Sequence, residues 1–205
     1  MTLLQTKTDL AVVRTGLANT ASVMAAASRA GATPRLVDDP REVCRAAYVI
    51  LPGVGSFGAA AEVLETGLRN ALRQRLEADN PTLGICLGMQ LFATGSEESP
   101  GARGIGIVPA RVQRMAQLER LPVMGWSQVN PGPDCNLIEA GWAYFAHTFA
   151  LQDAPGPWSV ARAGHGGAIA ALEHGNVLAC QFHPELSGAY GAALLERWIE
   201  KGIRA

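Results

Sequence analysis

The chain has 205 residues, of which 48% are hydrophobic and 17% charged, with 17 Lys and Arg against 18 Asp and Glu for a net charge of −1. That length fits one large α/β domain spanning residues 1–205, and so apolar a composition argues against disorder. The balanced charge, with no sustained basic run, gives no electrostatic basis for capturing nucleic acid or an anionic membrane.

No window approaches the roughly 20 apolar residues of a membrane span, and the opening MTLLQTKTDLAVV has no apolar stretch long enough for a signal sequence. A cytoplasmic protein with no nucleic-acid or membrane partner is therefore expected. The four cysteines, Cys44, Cys86, Cys135 and Cys180, are far apart with no CxxC pair, which fits neither a disulfide framework nor a zinc site. The four histidines, His147, His165, His174 and His183, lack the close pairing that metal sites favour. No metal is expected, and at least one cysteine is a candidate for use as a thiolate.

In chain order, the first 90 residues alternate short apolar runs with helical patterns. Leu10–Val13 reads as a strand, Asn19–Ala30 as an Ala-rich helix and Arg35–Val37 as a second strand. Ala47–Leu51 reads as a third, followed by the turn PGVGSFG and one helical stretch over Ala59–Leu76. Thr82–Ile85 is a fourth strand, running into Cys86 and another helix. This alternation predicts an open, mostly parallel sheet flanked by helices. From about Arg103 the texture changes. Gly104–Val108, Val123–Val129, Trp142–Thr148, Ala168–Leu172 and Val177–Gln181 are short segments punctuated by Gly, Pro, Asn and Asp. They are expected to form an antiparallel extension of the sheet. A last helix, Tyr190–Gly202, carries Leu194, Leu195, Trp198 and Ile199 at helical spacing.

Three segments carry chemistry. GICLG (Gly84–Gly88) puts a cysteine between a strand and a helix, with glycines two positions either side. A nucleophile on a strained strand-to-helix turn needs those glycines, because side chains there would collide with the adjoining strand or helix. The helix N-terminus would favour the thiolate, although an ordinary buried cysteine ending a strand is the plain alternative. QFHPE supplies a base, His183, with Glu185 two residues on. In extended backbone the two share a side, so Glu185 can reach the far imidazole nitrogen. PGVGSFG (Pro52–Gly58) follows a strand, and its glycines let backbone N–H groups face a ligand. It can bind phosphate, supply oxyanion donors or simply turn the chain. Beside a cysteine nucleophile, oxyanion donors drawn from Gly53, Val54 and Gly55 together with the Leu87 N–H are the most economical reading.

On these segments, and on SEES, RGIGIVPARV, LPVMGWSQV, AYFAHTF and CQFHPELSG, the chain resembles the class I, triad-type glutamine amidotransferases. Within them it is similar to the glutaminase subunits of imidazole glycerol phosphate synthases. The resemblance runs in family order from about residue 10 to 200. It implies hydrolysis of L-glutamine through a thioester on Cys86, with His183 and Glu185 completing the triad. It further implies glutamine held by Gln90, Glu98 and Thr148, no cofactor, and transfer of ammonia to a (β/α)8-barrel cyclase in a heterodimer. Asn19, Trp126, Tyr144 and Leu186 are the expected partner-facing residues, the two aromatics being alternatively core or rim. Arg14, Val123, Ser127 and Leu186 depart from the family pattern. The last stands where a basic residue is usual and bears most on docking. A glutaminase serving another synthase, a homologue that binds without turnover, and a cysteine hydrolase of similar architecture unrelated to glutamine are the competing readings.

Overall fold

The computed structural model describes residues 8–16 and 19–203. Residues 1–7, read above as lacking a signal sequence, 17–18 and 204–205 lie outside it. In chain order the elements begin β1 (Thr8–Val13), α1 (Thr20–Arg29), β2 (Ala32–Val37), α2 (Pro40–Arg45), β3 (Tyr48–Leu51), α3 (Phe57–Leu64), α4 (Leu68–Glu77), β4 (Thr82–Ile85) and α5 (Leu87–Gln90). There follow β5 (Ala93–Ser96), β6 (Val108–Arg114), β7 (Val123–Pro131), β8 (Gly141–His147), β9 (Phe149–Ala150), β10 (Ser159–Ala163), β11 (Ile169–His174), β12 (Val177–Cys180) and α6 (Gly188–Ile203).

Nine strands form one sheet in the order β2-β1-β3-β4-β12-β11-β10-β7-β8, and β5, β6 and β9 form a smaller one. The large sheet is parallel from β2 through β12 and antiparallel from β11 outwards. Helices cover both faces, so β3 (YVIL) and β12 (VLAC) are buried along their whole length, as parallel strands with two covered faces must be. Alternate side chains split between two cores. Val49 and Leu51 join Phe57, Leu64, Leu68 and Leu72 beneath α3 and α4, while Tyr48 and Ile50 join Leu194, Leu195 and Trp198 beneath α6. No helix among the described residues is long and apolar enough to cross a membrane.

Local chemistry accounts for the boundaries. Asn19 caps α1 by accepting from the Ser22 N–H, and Asp39 caps α2 with Pro40 in its first turn, as N-terminal signals require. The helix expected over Ala59–Leu76 is two, because Gly67 takes a left-handed φ of 97° and separates α3 from α4. Arg75 is buried without a carboxylate. Its guanidinium instead gathers the carbonyls of Val43, Cys44 and Ala46 at the end of α2, and of Ala47 and Pro81 beyond it. The carbonyls of Val43, Cys44 and Ala46 lie at the C-terminal end of α2, where partners within a helix run out.

Three expectations are corrected. Gly104–Val108 is not a strand; the strand starts at Val108, because Gly104 is pressed against β5, where a Cβ would lie 2.1 Å from the Ala93 carbonyl oxygen. The segment read as Val177–Gln181 is not antiparallel to its strand neighbour on the nucleophile side. It runs parallel to β4, with Cys180 level with Ile85. The helix after Cys86 is a single turn, α5, before the chain enters β5, so its dipole contributes little. Strands β5, β9 and β10 and helix α2 were not legible from periodicity at their lengths of two to six residues.

Candidate active site

The loops after β3, β4 and β12 all leave the carboxyl edge of the parallel strands, where open α/β sheets bind ligands. Cys86 ends β4. Its N–H donates to the Cys180 carbonyl at 2.7 Å, and it then takes φ 53° and ψ −108°, a strained conformation for a residue with a side chain. This is the sharp corner that the flanking glycines predicted. A Cβ on Gly88 would sit 1.8 Å from the Leu51 carbonyl oxygen, and one on Gly84 would sit 3.0 Å from Gly88 and Met89 backbone atoms. Gly53 is as confined, its Cβ position being 2.8 Å from that of Leu87. The corner therefore seats directly on β3 and its loop.

His183 follows β12 and shares the cleft with Cys86. Its Nδ1 lies 2.8 Å from Glu185 Oε1, and the two side chains are only 7% and 6% exposed. Glu185 reaches the imidazole from a 3-10 turn over Pro184–Leu186, not along the extended backbone expected, because Pro184 starts that turn. Burial disfavours charge on His183, but hydrogen bonding to Cys86 and Glu185, and their negative charge, outweigh it and raise its pKa to about 10. A cysteine facing an imidazolium is set up for thiolate chemistry.

The backbone of this turn is tied to the sheet edge through Ser187, a buried residue that the sequence did not single out. The His183 N–H donates to the Tyr144 carbonyl, the Tyr144 N–H donates to Ser187 Oγ, and Ser187 Oγ donates to the His183 carbonyl. Glu185 Oε2 is buried without a hydrogen-bond partner.

Cys86 and His183 open into a cleft of about 320 Å³ that also exposes Gln90, Glu98, His147 and Thr148, at the small end of the ~300–1,000 Å³ typical of ligand pockets. Gln90 is buried, with Nε2 donating to the Phe149 carbonyl and to Gln181 Oε1. Glu98 accepts the Phe57 N–H at 2.7 Å, so one of its oxygens caps α3. Thr148 follows β8 on the cleft wall. His147 pairs with His165, the two Nε2 atoms being 3.2 Å apart. Burial above all, with the neighbouring histidines, lowers its pKa to about 4 against the pull of the Phe149 carbonyl. Neutral His147 must donate from Nδ1 to that carbonyl, 3.1 Å away, so its Nε2 accepts from His165.

Of the expected oxyanion donors, Leu87 points its N–H at the Gly53 carbonyl, 3.4 Å away. In this conformation the peptide between Gly53 and Val54 presents oxygen to the corner, and Gly55 follows it with φ 94°. Val54 and Gly55 line the cleft.

The expected partner-facing residues fall into two pairs. Trp126 lies opposite Tyr144 across the β7–β8 pair, with ring centroids 6.2 Å apart, and is 55% exposed; it is not a core aromatic. Met124, two residues before it, and Trp142, two before Tyr144, widen this apolar face. Leu186 is exposed, and with Asn19 and Glu185 it lines a small cavity of about 80 Å³. Gln181 and His147, like Ser187, were missed as site residues. The available signal was a polar residue in an otherwise apolar strand exit, two residues before His183 and hence on its side of the chain.

The fold is that of a glutamine amidotransferase. The chain matches the family "Glutamine amidotransferase class-I" over residues 19–201 and belongs to it. Among curated relatives, it is 39% identical over 198 residues to the "Imidazole glycerol phosphate synthase subunit HisH" of Yersinia pseudotuberculosis serotype I, covering 94% of this chain and 99% of that one. It is 37% identical over 195 residues to the protein of the same name from Methanothermobacter thermautotrophicus, covering 93% and 98%. Solved structures share the fold. A glutamine amidotransferase crystal structure aligns with TM-score 0.77 at 21% identity, over 94% of this chain and 98% of that one. The structure of PurLQS from Thermotoga maritima aligns with TM-score 0.72 at 19% identity, over 97% and 98%.

Proposed function

We propose that this chain is a cytoplasmic glutaminase subunit of an imidazole glycerol phosphate synthase. It hydrolyses L-glutamine and passes ammonia to a (β/α)8-barrel cyclase. The observation that carries the reading is the buried line of Glu185 carboxylate, His183 imidazole and Cys86 sulfur at one cleft, in a chain of this family.

The chemistry follows from the charges. The Cys86 thiolate attacks the side-chain amide carbon of glutamine, and the sulfur lone pair forms the new S–C bond. His183, protonated and oriented by Glu185, delivers its proton to the departing nitrogen. The C–N bond breaks, ammonia leaves and a γ-glutamyl thioester remains. Neutral His183 then takes a proton from water as the water adds to the thioester, and glutamate departs as sulfur regains its electron pair. The free carboxylate oxygen of Glu98 suits the α-ammonium of the substrate, and the Gln90 oxygen and Thr148 suit its remaining polar groups.

The oxyanion formed on the amide needs donors. Rotation of the Gly53–Val54 peptide would exchange an oxygen for the Val54 N–H and free Leu87, giving two donors at the corner. Docking of the cyclase against the face of Trp126, Tyr144, Leu186 and Asn19 is the proposed trigger, since the Val54 loop borders that face. Carrying ammonia between subunits avoids its protonation to ammonium, which cannot attack. Leu186 makes the contact beside the triad apolar rather than ionic.

The test is glutamate release by the purified chain, alone and with a purified cyclase subunit and its ligand. Turnover that requires Cys86 and rises on adding the cyclase is expected. A chain that neither hydrolyses glutamine nor binds the cyclase would refute the proposal.

A further inference from the structure

Gln181, the residue after β12, is fully buried and bonded at both ends of its amide. Its Oε1 accepts from Gln90 Nε2 at 3.1 Å, and its Nε2 donates to Cys86 Sγ at 3.7 Å. Which way an amide faces is decided by its partners, and here Gln90 decides it. The Gln90 nitrogen also faces the Phe149 carbonyl, at 2.8 Å, which can only accept. Gln90 is thus the donor in both bonds, Gln181 must receive it on oxygen, and the Gln181 NH2 is turned to the sulfur. Besides His183, that sulfur also meets the Ala146 carbonyl, 3.9 Å away. A thiol can donate to it, but a thiolate meets it lone pair to lone pair. Ala146 therefore favours the resting thiol, and Gln181 favours the anion.

We propose that Gln181 is a further catalytic residue, the neutral donor that stabilises the Cys86 sulfur while it bears negative charge. The inference rests on the glutaminase reading above and gives it a second polar arm beside His183. Gln181 transfers no proton. It bonds to the sulfur as an anion before attack, loosens as the lone pair goes into the S–C bond, and bonds again when the thioester breaks and the pair returns. Being uncharged, it does this in every protonation state of the site. Gln90 then has a role besides lining the cleft. It locks the polarity of Gln181 and leaves its own oxygen, not its nitrogen, for the substrate.

The pH dependence of Cys86 alkylation by iodoacetamide, followed on the Cys86 peptide to separate it from the other cysteines, reads the sulfur directly. The titratable groups sharing its cleft (His183 backed by Glu185 after β12, His147 from β8, Glu98 after β5) are retained in the variants. Gln181→Met keeps the length and removes the donor, and should move the midpoint up by about one pH unit, the size of one hydrogen bond to a charged group. Gln181→Glu should move it further, by placing a carboxylate at the sulfur. Glutaminase kcat should fall roughly tenfold or more with a smaller change in KM. Midpoints unchanged in both variants would overturn the proposal. In the unaltered chain, the Gln181 side-chain amide nitrogen resonance should titrate at the alkylation midpoint, and a resonance that does not respond would overturn it even if the variants misfold. Alkylation needs no glutamine, so a shifted midpoint in a chain without glutaminase activity would sink the functional reading, and the catalytic role with it, while leaving the donation from Gln181 to the sulfur established.

Discussion

The Cys86 N–H and the Cys180 carbonyl share a 2.7 Å hydrogen bond, which continues the parallel pairing of β4 with β12 one step past Ile85 and Cys180. From that bond the two chains separate. Cys86 turns into its strained corner, and the other strand runs on through Gln181 to His183. Residues 94 apart in number for Cys180, and 97 for His183, are thereby set side by side, and the chemistry of the cleft depends on the alignment.

Glu185→Gln should cost activity without emptying the cleft. The amide still fills the space but no longer stabilises the imidazolium or fixes its tautomer. A fall in kcat of about 10²–10⁴ with nearly unchanged KM is expected, read from steady-state glutaminase kinetics in the presence of the cyclase.

Gly88→Ala tests the corner itself. With the Leu51 carbonyl oxygen 1.8 Å from the added carbon, the contact between β3 and α5 must open, at a cost of about 1–3 kcal/mol or more. A lowered melting temperature and loss of Cys86 reactivity should appear together. A variant with the original melting temperature would show that the corner is not held against β3 as described.

The engaged Leu87 amide predicts weak turnover in the isolated chain. Each oxyanion donor is worth roughly 10²–10³ in rate and the rotation supplies two, so kcat should rise by at least that factor when the cyclase and its ligand are bound. An isolated chain already at its full rate would contradict the proposed peptide rotation.

Stability should fall on both sides of about pH 6.5, the ordinary histidine value. His147, with its folded pKa lowered to about 4, contributes stability that is present above 6.5 and lost as pH falls towards 4. His183, raised to about 10, contributes stability that is fully present below 6.5 and lost as pH rises towards 10. Thermal melts across this range check both arms. Cys86→Ala, which removes one of the groups favouring charge on His183, should flatten the alkaline arm and leave the acid arm in place.

Trp126→Ala should leave the isolated chain within about 0.5 kcal/mol of its original stability, because the side chain is more than half exposed. Cyclase affinity should fall by about tenfold or more if this ring anchors the interface. Unchanged affinity and coupled turnover, measured by titration calorimetry and coupled assay, would remove Trp126 from the docking surface.

The sequence was most readable where one local rule acted alone. GICLG announced the corner because a side chain at Gly84 or Gly88 has nowhere to go, and the register of small residues around Cys86 is visible in the sequence itself. Apolar runs gave β1, β3, β4 and β12. Short elements and mixed signals were lost. Gly67 looked tolerable inside a long helical pattern, β9 has only two residues, and Arg75 gave no hint of being buried. Ser187 was invisible as a support, because its role depends on Tyr144 arriving from β8.

What the residues indicated by themselves is a candidate chemistry: a cysteine on a tight turn, a histidine with a carboxylate two positions on, and a glycine loop after a strand. Each is a local matter of sterics and spacing. Tertiary structure alone decided that β12 lies parallel beside β4, that Glu185 approaches from a turn, that Gln181 faces the sulfur, and that Leu87 is bonded to Gly53. Those are relations between segments brought together by burying both faces of the sheet, and no local pattern encodes the register at which two buried strands meet.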